Sequence, residues 1–216
     1  MKATNVGILG SGVVAKALGT GFLKHGAAVM LGTREPAKLA EWKAKNPAAR
    51  VGSFGETAGW AELVVLAVKG TAAGQVLEAA GARNLSGKTV IDTTNPIADA
   101  PPSSGVIQYF TGPNESLMES LQKQVPAALF VKCFSSVGNV SMVDPEYGGL
   151  RPTMFICGND AEAKKGVTEI LTEFGWETED MGTAEGARGI EPLAILWCIP
   201  GFLRNQWTHA FKLLKR

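Results

Sequence analysis

The chain predicts a doubly wound α/β fold: a mostly parallel sheet with helices on both faces and a helical extension at the C-terminus. Three observations carry that prediction. Short apolar runs of strand length alternate with helix-patterned segments along most of the chain, the order that builds βαβ units. One run, Leu63-Val64-Val65-Leu66-Ala67-Val68, is continuously apolar, as expected of a strand buried on both faces of a parallel sheet. The first run, Val6 to Leu9, ends on Gly10-Ser11-Gly12-Val13-Val14-Ala15 and leads into an apolar, Ala-rich helix.

Each small residue of that turn has a part. Gly10 lets the chain turn tightly out of the strand. Gly12 lacks a Cβ, so a pyrophosphate can approach the backbone, and Ala15 lets the helix pack close to the strand. The helix runs to Lys24-His25 and stops at Gly26, glycine being a natural residue just past a helix end. A second strand, Ala28 to Leu31, follows at once. Strand, glycine turn, helix and strand form the opening unit of a dinucleotide-binding, Rossmann-type fold. The unpaired N–H groups and positive dipole end of the helix would face the phosphates. Gly10, Ser11, Gly12, Val13 and Val14 are the residues placed there. A tight turn without a ligand is the plain alternative, and the strand before and helix after argue against it.

Gly32-Thr33-Arg34 closes the second strand. NAD-specific sites usually place Asp or Glu about 20 residues past the glycines to bind the ribose 2′-hydroxyl. A hydroxyl and a guanidinium would instead attract a 2′-phosphate. The expected dinucleotide is therefore NADP(H), with Thr33 and Arg34 as 2′-phosphate ligands. Glu35 opposes this; it is expected in the first turn of the next helix, with Pro36 early in it, pointing away.

The other elements follow in order. A helix over Ala37 to Lys45 ends at Asn46-Pro47, and a short strand covers Arg50 to Phe54. Ser53 or Gly55 leads into a helix containing Thr57, Ala58 and Trp60. The apolar strand from Leu63 closes at Lys69-Gly70-Thr71, before a helix over Ala72 to Ala80. Thr89 to Asp92 is a strand closed by Thr93-Thr94-Asn95-Pro96. Ala98 to Asn114, rich in Pro, Ser and Gly, reads as a loop on the active-site side. A helix over Ser116 to Gln124 precedes a strand over Ala128 to Phe134, which ends in Ser135-Ser136-Val137-Gly138-Asn139. After an irregular stretch, Thr153 to Gly158 is a strand. Asp160 caps the helix Ala161 to Phe174, Gly175 ends it, and Trp176 to Met181 is a last short strand. Residues 1–183 are thus assigned to an NADP-binding domain.

Residues 184–216 are assigned to a helical extension packed on that domain or on a dimer partner. Leu193, Leu196, Trp197, Leu203, Trp207, Phe211 and Leu214 recur there at helical spacings. Pro192 suits a helix start, and Pro200-Gly201 predicts a kink or break. So much apolar surface predicts a symmetric homodimer through this helix.

Composition excludes other classes. A net charge of +1 gives no electrostatic reason to expect nucleic acid or an acidic membrane as partner. The apolar stretch Ile190 to Leu203 is interrupted by Glu191, Pro192, Pro200 and Gly201 and is too short for a membrane span. No leader is read before the first strand. Cys133, Cys157 and Cys198 form no C-x-x-C pair and read as free thiols of a cytoplasmic protein. His25 and His209 have no metal-ligand spacing, so no metal site is expected.

Ligands of such sheets sit at the C-terminal ends of the strands. That selects Ala67, Val68 and Lys69, then Thr94, Asn95 and Pro96, then Phe134, Ser135 and Ser136. The adenine side falls to Thr33, Arg34 and the Val68-Lys69 loop, and the nicotinamide side to Asn95, Pro96 and Phe134. No Ser-His-Asp set, recognisably spaced carboxylate pair or metal cluster appears. No catalytic side chain is therefore assigned, and Phe134, Ser135 and Asn95 are the candidates facing the acceptor.

With these motifs in hand, the chain resembles the coenzyme F420-dependent NADP oxidoreductase family. The resemblance rests on Val6-Gly7-Ile8-Leu9-Gly10-Ser11-Gly12, Leu31-Gly32-Thr33-Arg34, Ala67-Val68-Lys69 and Val131-Lys132-Cys133-Phe134. Phe155-Ile156-Cys157-Gly158-Asn159-Asp160 and Glu191-Pro192-Leu193 add to it. The NADPH-binding domain of membrane ferric reductases is similar too. The resemblance implies NADP(H) at the first motif and a second redox partner, F420 or a flavin, stacked over the nicotinamide. Members that use F420 tend to carry His-Thr-Ile-Pro-Ala where this chain has Ser135-Ser136-Val137-Gly138-Asn139, so Ser135 stands at the histidine position. Two rivals are an NADPH-dependent reductase of a small carbonyl or imine, with Lys132 or Glu191 as proton donor, and a non-catalytic NADP(H)-binding redox sensor.

Overall fold

A computed structural model describes residues 4–216. In chain order the first half comprises β1 (Asn5–Leu9), α1 (Val13–Lys24), β2 (Ala28–Gly32), α2 (Ala40–Lys45), β3 (Arg50–Gly52), α3 (Phe54–Trp60), β4 (Leu63–Leu66), α4 (Gly70–Ala80) and α5 (Ala82–Leu85). Then come β5 (Thr89–Asp92), α6 (Leu117–Gln124), β6 (Leu129–Lys132), β7 (Thr153–Ile156), α7 (Ala161–Glu173), β8 (Glu177–Asp180), α8 (Ala187–Ile190) and α9 (Leu193–Arg204).

The main sheet has six parallel strands in the order β3-β2-β1-β4-β5-β6. This is the doubly wound Rossmann-type arrangement, and its order reverses between β1 and β4. A ligand crevice forms outside the strand ends at such a reversal. The period of two explains the apolar run of β4. Leu63 and Val65 face a core layer with Phe22, Trp42 and Phe174, whereas Val64 and Leu66 face a second layer with Leu77, Met118 and Phe130. Sequence signals hold locally as well. Ser53 caps α3 in a reciprocal box with Glu56, and Asp160 caps α7.

The strand expected at Trp176 to Met181 is present but lies outside the main sheet. Its ordered part, β8, pairs in parallel with β7 as a separate two-stranded sheet. Gly158 brings that unit against β6: a Cβ there would stand 2.5 Å from the Phe130 carbonyl oxygen.

The helical pattern of the tail also stops early, at Arg204. Asn205 adopts a left-handed conformation, φ 52°, and closes α9 by donating its N–H to the Gly201 carbonyl. Trp207 then folds back over Gly201, where a Cβ would lie 2.3 Å from its ring. Phe211 continues extended and accepts the Thr153 N–H through its carbonyl at 2.8 Å. The apolar spacing of Trp207, Phe211 and Leu214 therefore reflects a strap rather than a helix face. The helix does not break at Pro200. Proline deprives the Leu196 carbonyl of its partner, and Leu196 lies on the exposed side of α9, where water can serve that group.

One buried cluster joins these parts. The Lys132 ammonium, fully buried at the end of β6, lies 2.6 Å from Asp92, 2.8 Å from Glu191 and 2.8 Å from the Thr94 carbonyl. Glu191, between α8 and α9, also accepts the N–H groups of Leu117 and Met118 at the start of α6, each at 3.0 Å. Asp92 accepts the Thr94 N–H at 2.9 Å and its hydroxyl at 2.7 Å. Burial opposes the charge on Lys132, but the carboxylates of Asp92 and Glu191 outweigh it and hold the ammonium above its usual range. Removing one member of such a cluster strands the others without water. Lys132→Met should therefore lower stability by about 3–5 kcal/mol in urea unfolding. A loss under about 1 kcal/mol would show that the carboxylates find other partners.

Candidate functional site

The C-terminal ends of the central strands open into a cavity of about 840 Å³. Its base is the glycine turn. Gly10 has φ +148°, and a Cβ there would stand 2.1 Å from the Ala67 carbonyl oxygen, so only glycine can leave β1 along this path. Its N–H donates to the Gly32 carbonyl at 2.9 Å and ties the exits of β1 and β2 together. Gly12 is the opposite case. A Cβ there would meet nothing within 4 Å; the open space beside it is the cavity. Gly12 is the N-cap residue of α1, with no side-chain cap and no acidic residue in the first turn. The first N–H groups of α1 therefore keep their donors, the set a pyrophosphate takes up. Ser11, Gly12, Val13 and Val14 all line this end.

At one rim stands Arg34, whose guanidinium has no hydrogen-bond or ion-pair partner among the described residues. Thr33, expected beside it as a ligand, does not line the cavity. Its buried hydroxyl accepts the Glu35 N–H at 3.0 Å and shapes the turn that presents Arg34. Glu35 is turned to Lys38, 2.7 Å away. That hydrogen bond, and then the lysine charge, hold its carboxyl below the ordinary range. A 3-10 turn over Pro36–Leu39 follows it.

Ala67, Val68, Lys69 and Gly70 form the second wall. Lys69 approaches Asp99 to 3.6 Å with both side chains mostly in solvent, a contact of small worth. The third wall is Thr93, Thr94 and Asn95, continued by Ile97 to Ala100. The segment from Ile97 doubles back through bridges Ile97–Tyr109 and Ser103–Val106. The loop expected from Ala98 to Asn114 on the active-site side reaches the cavity through Ala98, Asp99 and Ala100, whereas Ile97, just before it, carried no signal as a wall residue. The Asn95 side-chain amide donates to the Ser135 carbonyl at 2.7 Å and ties β5 to β6.

Of the remaining candidates, Pro96 and Ser135 are buried behind the wall rather than in it. Phe134 is displaced further. It leaves β6 in a left-handed conformation, φ 59°, and its ring is buried in the core, 6.3 Å between centroids from Phe174. It does not face the cavity. Lys132 and Glu191, the proton-donor candidates, are bound to each other in the buried cluster. Burial pushes the Cys157 thiol up to about 12 and raises Cys133 well above its usual value, so neither is a ready thiolate. Among the described residues no group of three or more His, Cys, Asp and Glu could hold a metal ion. None of their helices is long and apolar enough to cross a membrane.

A glycine turn, an uncapped helix and a strand-order reversal, meeting at one cavity, define a dinucleotide-binding α/β protein. Comparison with known proteins agrees and narrows the class. Residues 5–96 match the family model described as NADP oxidoreductase, coenzyme F420-dependent. A solved structure from Arthrobacter sp. FB24, provisionally named an F420-dependent NADP-reductase, superposes with a TM-score of 0.92 at 31% identity, covering 99% of this chain and 100% of that one. Metalloreductase STEAP3 of Rattus norvegicus is 30% identical over 207 residues, 94% of this chain; the chain spans 39% of that protein's length. An imine reductase of Streptomyces aurantiacus shares the fold alone, with a TM-score of 0.65 at 18% identity over 92% of this chain and 63% of that one. The chain belongs to the coenzyme F420-dependent NADP oxidoreductase family.

The two glycines should separate on substitution. Gly10→Ala should cost more than about 2 kcal/mol of folding stability, because it adds a steric clash to a disfavoured φ. Gly12→Ala should melt like the unaltered protein yet bind NADPH about tenfold more weakly, its Cβ entering the cavity. Calorimetry with a fluorescence titration checks both. Equal stability losses, or an unchanged NADPH titration for Gly12→Ala, would contradict this account of the turn.

Proposed function

We propose that this protein transfers hydride between NADP(H) and a second redox-active ring compound, such as F420 or a flavin. The observation that carries this reading is the state of Lys132 and Glu191. Both are closed into the buried cluster, so neither is free to donate a proton at the cavity. Reduction of a carbonyl or imine needs such a donor. Transfer between two cofactors needs the rings placed together and water kept out, which is positioning work. The apolar and backbone surfaces of Val13, Val14, Ala67 and Thr94 suit that work.

Bound NADPH supplies the hydride. The first turn of α1, from Ser11 to Val14, would hold its pyrophosphate, and Arg34 its 2′-phosphate. Val68 and Lys69 would flank the adenine side. Asn95, fixed by the Ser135 carbonyl, would stand on the nicotinamide side. Gly10 and Thr33 act through backbone shape, holding the turn and the Arg34 loop.

The reading extends to a homodimer through α9, on which Leu196, Phe202 and Leu203 remain 46–56% exposed. Light scattering should show a dimer, and Leu203→Glu should yield a monomer. A monomeric unaltered protein removes this part.

Two measurements test the function. NADPH oxidation with F420, and in parallel with flavin mononucleotide, should proceed, and NADH should be a poor donor. Tight NADPH binding without turnover on either acceptor would favour the redox-sensor reading. Arg34→Ala should weaken NADPH binding about tenfold or more through loss of a charge-assisted contact, about 1.5–3 kcal/mol, and leave NADH binding unchanged. An unaltered NADPH-to-NADH ratio would remove Arg34 from the 2′-phosphate site.

A further inference from the structure

The C-terminal part of the chain touches the segment that leaves β6 at one glycine. Gly138 has an ordinary backbone, with φ −70°, so no turn calls for glycine there. Close approach does. A Cβ would stand 3.0 Å from two carbons of the Trp197 ring and 3.5 Å from the Trp207 carbonyl oxygen. The edge of an α9 indole thus rests on bare backbone just past the last strand of the main sheet.

That indole is held in turn by the strap. Its N–H donates to the His209 carbonyl at 2.8 Å, and His209 Nε2 lies 3.0 Å from the Trp197 carbonyl. A carbonyl can only accept, so Nε2 carries the proton and donates it. The two rings stack with centroids 5.0 Å apart. Trp207 adds a second ring contact at 5.7 Å and is itself seated over Gly201. Trp197 is buried among these partners.

The segment that Trp197 touches also carries Ser135, whose carbonyl accepts the Asn95 side-chain amide at 2.7 Å. Among the described residues this is the one hydrogen bond of the Asn95 side chain, for its Oδ1 is buried without a partner. The direction of the amide is therefore set by where the Ser135 carbonyl stands. The backbone beside it is held separately, by Lys132 at the Thr94 carbonyl. The cavity wall can keep its place while the amide on it turns.

We infer that Trp197 is a positioning residue for the nicotinamide half of the cofactor. It seats the segment after β6 at Gly138, the segment places the Ser135 carbonyl, and the carbonyl aims the Asn95 amide. The strap, through His209 and Trp207, keeps Trp197 in its seat. The inference rests on the reading that sets the nicotinamide beside Asn95. It gives the strap a part in the reaction although none of its residues lines the cavity.

The test separates the two halves of NADPH. NADPH and 2′-phospho-ADP, which lacks the nicotinamide riboside, are titrated by calorimetry. The proteins are the unaltered one, Asn95→Ala, Gly138→Ala, His209→Ala and the double variant Asn95→Ala/Gly138→Ala. The methyl of Gly138→Ala asks the Trp197 contact to give by a few tenths of an ångström. Asn95→Ala, Gly138→Ala and His209→Ala should each weaken NADPH about three- to tenfold, the worth of one hydrogen bond, and leave 2′-phospho-ADP unchanged. His209→Ala, which alters neither the sheet nor the cavity lining, supplies the same comparison should the added methyl unfold the protein. The double variant should lose no more than Asn95→Ala alone, because both changes remove the same contact. The emission of bound NADPH should lose anisotropy in each variant as the ring gains freedom. A general loosening of the fold would instead weaken both ligands alike and add to the effect of Asn95→Ala. Either result overturns the inference, as does normal NADPH binding by Gly138→Ala and His209→Ala. If Asn95→Ala itself leaves NADPH binding unchanged, the nicotinamide does not lie at Asn95, and the underlying reading fails and takes the inference with it.

Discussion

The structure depends on one ammonium group. Lys132 has three N–H donors and meets three acceptors, in Asp92, Glu191 and the Thr94 carbonyl. Those acceptors come from the end of β5, the link between α8 and α9, and the first residues after β5. Two carboxylates and a lysine in a dry interior are tolerable only when every group is satisfied. Satisfying them fixes how the last strand of the sheet, the start of α6 and the C-terminal helix meet. Because the Thr94 backbone is part of the set, the same cluster holds one wall of the cofactor cavity. Tyr109 adds to it by donating its hydroxyl to the Glu191 carbonyl at 2.6 Å.

The glycine turn is set by a different constraint. Gly10 is required by what surrounds it inside the protein, Gly12 by the space outside. Between them the chain passes from a fully buried strand to a helix end with unpaired donors. The loop after β2 reaches the same cavity by another route, with the hydroxyl of Thr33 spent on its own backbone so that Arg34 faces the opening.

Much of this was legible because it rests on local pattern. The apolar run of β4, the turn from Gly10 to Ala15, the caps at Ser53 and Asp160 and the reach of Arg34 follow from spacing and residue type within a few positions. The rest depends on long-range geometry. Lys132 and Glu191 were visible as unusual charges, but nothing local says that they meet across 59 residues, or that Asp92 completes the set in register beside Lys132. Phe134 sits at a strand end, where ligands gather, yet its left-handed backbone sends the ring into the core. The tail misled for a related reason. Trp207 and Phe211 keep helical spacing, whereas Asn205 and the room over Gly201 turn the chain back. Both side chains are half-buried, and a period of apolar residues does not say which backbone covers them.

Glu191 lies beyond the last strand, on the segment that enters α9, and it completes the coordination of a lysine at the heart of the sheet. The sheet and the C-terminal helix are therefore not interchangeable parts. A hybrid that joins this sheet to a relative's final helix inherits a working interior only if the incoming segment brings an acid to the same point. Cutting the chain after β8 would leave a lysine and an aspartate facing the open start of α6. The extension is thus part of the interior of the fold it follows, and drift in its sequence is constrained from within as well as by whatever it meets outside.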